Sequence, residues 1–130
     1  MGTPSGDRVH KRVLIVEDND LNLKLFKGLV EQQGYETLFA KDGREAIKLS
    51  QGELPDLILM DDQLPEMSGL EVVRCLRDDE RTKHIPIIAV FGFYDERAAL
   101  DAGCDAYVER PIKPLNFVRM IGSFLSERDQ

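Results

Sequence analysis

The chain has 130 residues, enough for one domain whose core needs no disulfide or metal staple. Apolar residues make up 42% and charged residues 32%, which is a globular, water-facing composition. The net charge of −7 excludes the basic face that nucleic acid or an anionic membrane surface would need.

No apolar run approaches the roughly 18 residues of a membrane span, and the N-terminus lacks an apolar signal core. Cys75 and Cys104 have no CxxC spacing, which fits a reduced, cytoplasmic protein. Residues 1–10 are small and polar and read as a disordered leader; the folded domain is expected over 11–127, with a tail at 128–130.

In chain order, the first strand is expected at Val13-Leu14-Ile15-Val16. The first helix follows, with Leu21, Leu25 and Leu29 at four-residue spacing, Asn19 or Asp20 as its cap and Gly34 at its end. A second strand runs from Tyr35 to Ala40, and a helix over about 43–51 comes next. Leu57-Ile58-Leu59-Met60 is the third strand, and the helix carrying Leu70, Val73 and Leu76 follows Pro65. The fourth strand covers Ile87 to Phe91, and its helix carries Ala98, Ala99 and Ala102 and stops near Gly103. Ala106-Tyr107-Val108 is the fifth strand; the last helix follows Pro114, with Phe117, Ile121, Phe124 and Leu125 on one stripe.

Near-continuous branched runs mark parallel strands buried on both faces. Five strands alternating with five helices give a (βα)5 chain, and right-handed crossovers put helices on both sides of one sheet. The expected class is α/β with a flavodoxin-like, doubly wound parallel sheet of order 2-1-3-4-5. Such sheets place their sites beyond the carboxyl ends of the strands, at the switch point between strands 1 and 3.

Here the sequence puts acids at both of those ends. Strand 1 ends in Glu17-Asp18 and strand 3 in Asp61-Asp62. Carboxylates a few ångströms apart cannot all stay ionised unaided, and a hard divalent cation, Mg²⁺ or Mn²⁺, relieves them. The bland alternative is a set of solvated strand-end acids.

Val13 to Asn19 resembles the first strand of response-regulator receiver domains, and Asp56 to Asp61 followed by Gln63 to Gly69 resembles their phosphoacceptor segment. The resemblance spans about residues 11–127 and is nearest to stand-alone, DivK-like receivers that have no output domain attached. It implies that Asp61 takes a phosphoryl group from a histidine kinase or phosphotransfer protein. It implies a metal held by Asp18, its acidic neighbour Glu17, Asp61 and the backbone carbonyl of Gln63. The helix after Pro65 would add dipole support nearby.

The sequence departs from that pattern at the switch residues. Phe91 stands where the family has Thr or Ser, just before Gly92, so no hydroxyl can reach the phosphate and draw the following loop inward. A hydrogen bond to a charged group is worth roughly 1.5–3 kcal/mol; losing about 2 would weaken the on/off bias about 30-fold. Arg110 replaces Lys before Pro111, keeping the charge on a bulkier planar fork that could pair with Asp61. The resemblance implies a cis peptide bond to the proline. Tyr107 matches the aromatic that swings on activation, and is expected to stay outward or stack edge-on against Phe91. Asp62 occupies a usually apolar position. Alternation points it away from Asp61, and added charge beside the metal is the other reading.

Two functions compete: a phosphoacceptor, and a phosphate-independent interaction module that has lost its switch. An Mg²⁺-dependent aspartyl phosphatase fits less well, because Asp18-Asn19-Asp20 lacks the hydroxyl residue expected two positions on. Output is expected through protein contacts with a downstream target, using Tyr94, Asp95, Glu96, Arg97, Asn116 and Arg119, in a monomer or weak dimer.

Overall fold

The computed structural model describes residues 10–125, so most of the leader and all of the tail lie outside the described residues. The strands are β1 (Arg12–Val16), β2 (Glu36–Ala40), β3 (Leu57–Met60), β4 (Ile87–Ala89) and β5 (Ala106–Tyr107). The helices are α1 (Asp20–Gln32), α2 (Gly43–Glu53), α3 (Gly69–Arg77), α4 (Glu96–Ala102) and α5 (Pro114–Leu125). The five strands pair in parallel and their order is β2-β1-β3-β4-β5.

The strands sort their residues by alternation. Leu14, Val16, Ile58, Met60, Ile87 and Ala89 pack with Val73 and Leu76 of α3 and Ala99 of α4. Val13, Ile15, Leu57, Leu59 and Ile88 pack on the other side with Phe26 of α1 and Phe117 and Ile121 of α5. Both faces are therefore covered, which is why the runs carry no polar alternation.

The boundaries differ from the sequence reading in instructive ways. β4 ends at Ala89 rather than Phe91, because β5 is only two residues long and its pairing stops at Ala89↔Tyr107. α2 runs on to Glu53, closed by Leu54 in the left-handed region. α3 starts at Gly69, well past Pro65, because Ser68 and Glu71 form a reciprocal capping box. Gly69 is required there: a Cβ would lie 2.0 Å from the Asp61 carbonyl oxygen, so only glycine lets α3 approach the end of β3. Asn19 caps α1, and Gly103 closes α4 at φ 118.

Candidate active site

The ends of β1 and β3 lie side by side, since Val16 pairs with Met60 and the Asp61 N–H continues the ladder to the Val16 carbonyl at 3.0 Å. That register brings Glu17, Asp18 and Asp61 together, with one carboxylate oxygen of each within 4.8 Å of the others. Glu17 (2% exposed) and Asp61 (8%) are buried, whereas Asp18 is exposed. The pocket is thus two buried acids at its floor and one acid at its rim.

Arg110 closes the charge balance. Its Nη2 donates to Asp61 Oδ1 at 3.1 Å and to Glu17 Oε1 at 3.2 Å. Nε and Nη2 also donate to the Val90 carbonyl, at 3.2 and 3.0 Å, and the guanidinium lies 5.9 Å from the Phe26 ring centroid. A lysine ammonium is a point charge on a flexible stem and could not hold all four partners as this rigid fork does. The Arg110–Pro111 peptide bond is cis.

Burial raises the Asp61 carboxyl to about 7, with Glu17 adding repulsion and Arg110 offsetting part of it. Two backbone donors add to this: Asn19 N–H donates to Glu17 Oε2 at 3.1 Å, and Asp62 N–H to Asp61 Oδ1 at 2.9 Å.

The donor set suits a hard divalent cation: three carboxylates converge, and the exposed Asp18 leaves the site open to solvent. Among the described residues this acid group does not include Asp62. Gln63 is exposed in the β3–α3 loop, bridged antiparallel to Ser68. The first donors of α3 are spent nearby, Gly69 N–H on the Asp62 carbonyl and Glu71 N–H on Ser68 Oγ, so the helix end gives these bonds to the loop rather than to Asp61.

Beyond β4, Phe91 is 1% exposed and belongs to the α2–α4 side of the core. Its ring meets Tyr107 edge-on at 6.3 Å and 89°, and Tyr94 at 6.5 Å. Asp62 points away from the pocket to the β4–α4 loop, where its carboxylate accepts three backbone N–H groups, from Gly92, Phe93 and Tyr94. Of the two directions left open by the sequence, the side chain takes the one that alternation offers, and the loop partner was not foreseen. The available signal was a single acid interrupting an apolar position opposite a glycine-containing turn. Of the surface candidates, Asp95 caps α4 and Glu96 and Asn116 line a cavity of about 470 Å³ between α4, β5 and α5.

The family profile described as the response regulator receiver domain matches residues 13–122. The polar-differentiation response regulator DivK of Brucella ovis is 51% identical over 120 residues, covering 90% of this chain and 98% of the relative. The receiver domain of a sensor histidine kinase from Pseudomonas aeruginosa, described with a magnesium ion coordinated in its active-site cleft, superposes with TM-score 0.83 at 28% identity, covering 91% of this chain and 99% of that one. A response regulator described as putative, from Chloroflexus aurantiacus, gives TM-score 0.84 at 28% identity, covering 90% and 98%. The match to the profile and the identity to DivK over most of the chain agree with the acid pocket at the β1–β3 switch point: the chain belongs to the response-regulator receiver domains of two-component signalling.

Proposed function

We propose that Asp61 accepts a phosphoryl group from a phosphohistidine on a histidine kinase or phosphotransfer protein, and that the chain signals in the cytoplasm by protein contact. The observation that carries this is the convergence of one carboxylate oxygen each from Glu17, Asp18 and Asp61 to within 4.8 Å of one another. An Asp61 oxygen would form the new P–O bond as the P–N bond to the donor breaks, and the imidazole would leave. Bound Mg²⁺ or Mn²⁺ would neutralise the repulsion between the carboxylates and the incoming phosphoryl oxygens. Glu17, Asp18, Asp61 and the Gln63 carbonyl would hold it. Arg110 already lies on Asp61 Oδ1 and supplies a cation for the phosphoryl group, with a fork suited to bidentate contact. Free cysteines Cys75 and Cys104 suit a reducing compartment.

Incubation with acetyl phosphate and Mg²⁺, followed by intact-mass measurement, tests the reading. One phosphoryl adduct is expected, lost in Asp61→Asn; no adduct, or one that survives the substitution, refutes it.

One observation favours the second reading, a phosphate-independent module. Phe91 fills the place of the switch hydroxyl and packs against Tyr107. A kinase or target that binds the wild type and Asp61→Asn equally well supports it.

A further inference from the structure

Asp62 is 1% exposed, and a charge at that depth must be matched by donors. Oδ1 accepts from Gly92 N–H at 3.2 Å, and Oδ2 accepts from Phe93 and Tyr94 N–H, both at 2.7 Å. Three successive N–H groups make a concave anion seat. This seat is not the end of a helix: α4 begins at Glu96 and is capped separately by Asp95, whose side chain accepts from Ala98 N–H. Burial works to raise the Asp62 carboxyl, and the hydrogen bonds from Tyr94, Gly92 and Phe93 outweigh it and hold the group below the usual carboxylate range.

The loop is fixed from its other side as well. Phe91 is wedged edge-on between Tyr94 and Tyr107, and Phe93 stacks edge-on to Tyr94 at 5.0 Å. The Val90 carbonyl, one residue before the loop turns, is held by Arg110. A phosphoryl group on Asp61 would find the three N–H donors already taken and no hydroxyl at Phe91.

We propose that Asp62 is a positioning residue: its carboxylate fills the anion seat of the β4–α4 loop from within, so the loop, with Phe93 at 69% exposure, holds one position whether or not Asp61 is phosphorylated. The seat itself stands or falls without the phosphoacceptor reading, and the loop's indifference to phosphorylation rests on that reading.

Amide hydrogen exchange and proton chemical shifts of the metal-free full chain test it. In the wild type, the amides of Phe93 and Tyr94 resonate downfield, as N–H groups bonded to a carboxylate do, and exchange slowly. Asp62→Ile removes every acceptor. The downfield signature is lost and exchange at 92–94 rises at least ~10-fold, while β1 and β3 keep their protection. Asp62→Asn retains one carbonyl acceptor and gives an intermediate rise. Unchanged exchange in the folded Ile variant overturns the proposal. Should that variant not fold, Asp62→Asn decides alone: wild-type exchange at 92–94 overturns the proposal, and a selective rise there supports it.

Discussion

The pocket and the β4–α4 loop are joined through two neighbouring residues, Asp61 and Asp62, and handle buried charge in opposite ways. In the pocket, Glu17 and Asp61 share one Arg110 nitrogen, Asp18 faces solvent, and Asp61 is left with a carboxyl raised to about 7. At the loop, Asp62 is also buried, yet its two oxygens are matched by three donors and its carboxyl is lowered. Two adjacent aspartates therefore have opposite environments. An unbalanced site is ready for a cation or a phosphoryl group, and a balanced one is ready for nothing further.

On the loop side, Phe91→Thr restores the missing hydroxyl. Removing a fully buried ring costs about 3 kcal/mol, read as a lower denaturation midpoint in urea. With Asp62 in place, the new hydroxyl leaves the exchange of the 92–94 amides close to wild type.

From the pocket side, Asp61→Asn removes the ill-matched charge. A carboxyl whose folded value is about 7 against 3.8 unfolded binds its proton more tightly in the folded state. Its cost is absent below pH 4, grows as pH rises between the two values, and is complete above about 7. In EDTA, Asp61→Asn should thus raise stability by about 2 kcal/mol at pH 8, after allowing for the lost Arg110 contact, or roughly 5 °C in Tm. The gain should vanish near pH 4.

Arg110→Ala sharpens the same point. Glu17 and Asp61 then face each other without their shared cation, and the metal-free chain loses about 1–2 kcal/mol. Excess Mg²⁺ should recover more stability in this variant than in the wild type, by thermal melts with and without EDTA.

The smallest effect concerns the far end of α4. Cys75 is exposed, whereas Cys104 is buried, with burial pushing its thiol up to about 12. Arg77 fixes this corner independently, donating to the carbonyls of Gly103 and Ile85 and to Asp105. Iodoacetamide should label Cys75 alone in native protein, and Cys104 should stay closed even in Asp62→Ile.

Much of this was legible in the sequence because it depends on period and on strand order. Continuous branched runs such as Leu57 to Met60, alternating with helical patterns, read as strands covered on both faces, and the parallel order then brings Glu17, Asp18 and Asp61 together. The Asp62 contact was not legible, since it depends on how a six-residue turn after β4 folds back over the end of β3. Alternation gives a side chain its direction, but not the loop waiting there. The late start of α3 was readable in principle from Ser68 and Glu71, whose spacing is that of a capping box.

Backbone amide spectra of the wild-type chain with and without Mg²⁺ plus beryllofluoride, a phosphoryl mimic, separate a loop held by Asp62 from one that follows the pocket. The division between pocket and loop predicts shifts at Glu17, Asp18, Asp61 and Arg110, with Gly92 to Tyr94, Tyr107 and α4 unmoved. Shifts of comparable size running through Phe93, Tyr107 and α4 would contradict it, because the loop would then follow the phosphoryl group rather than Asp62.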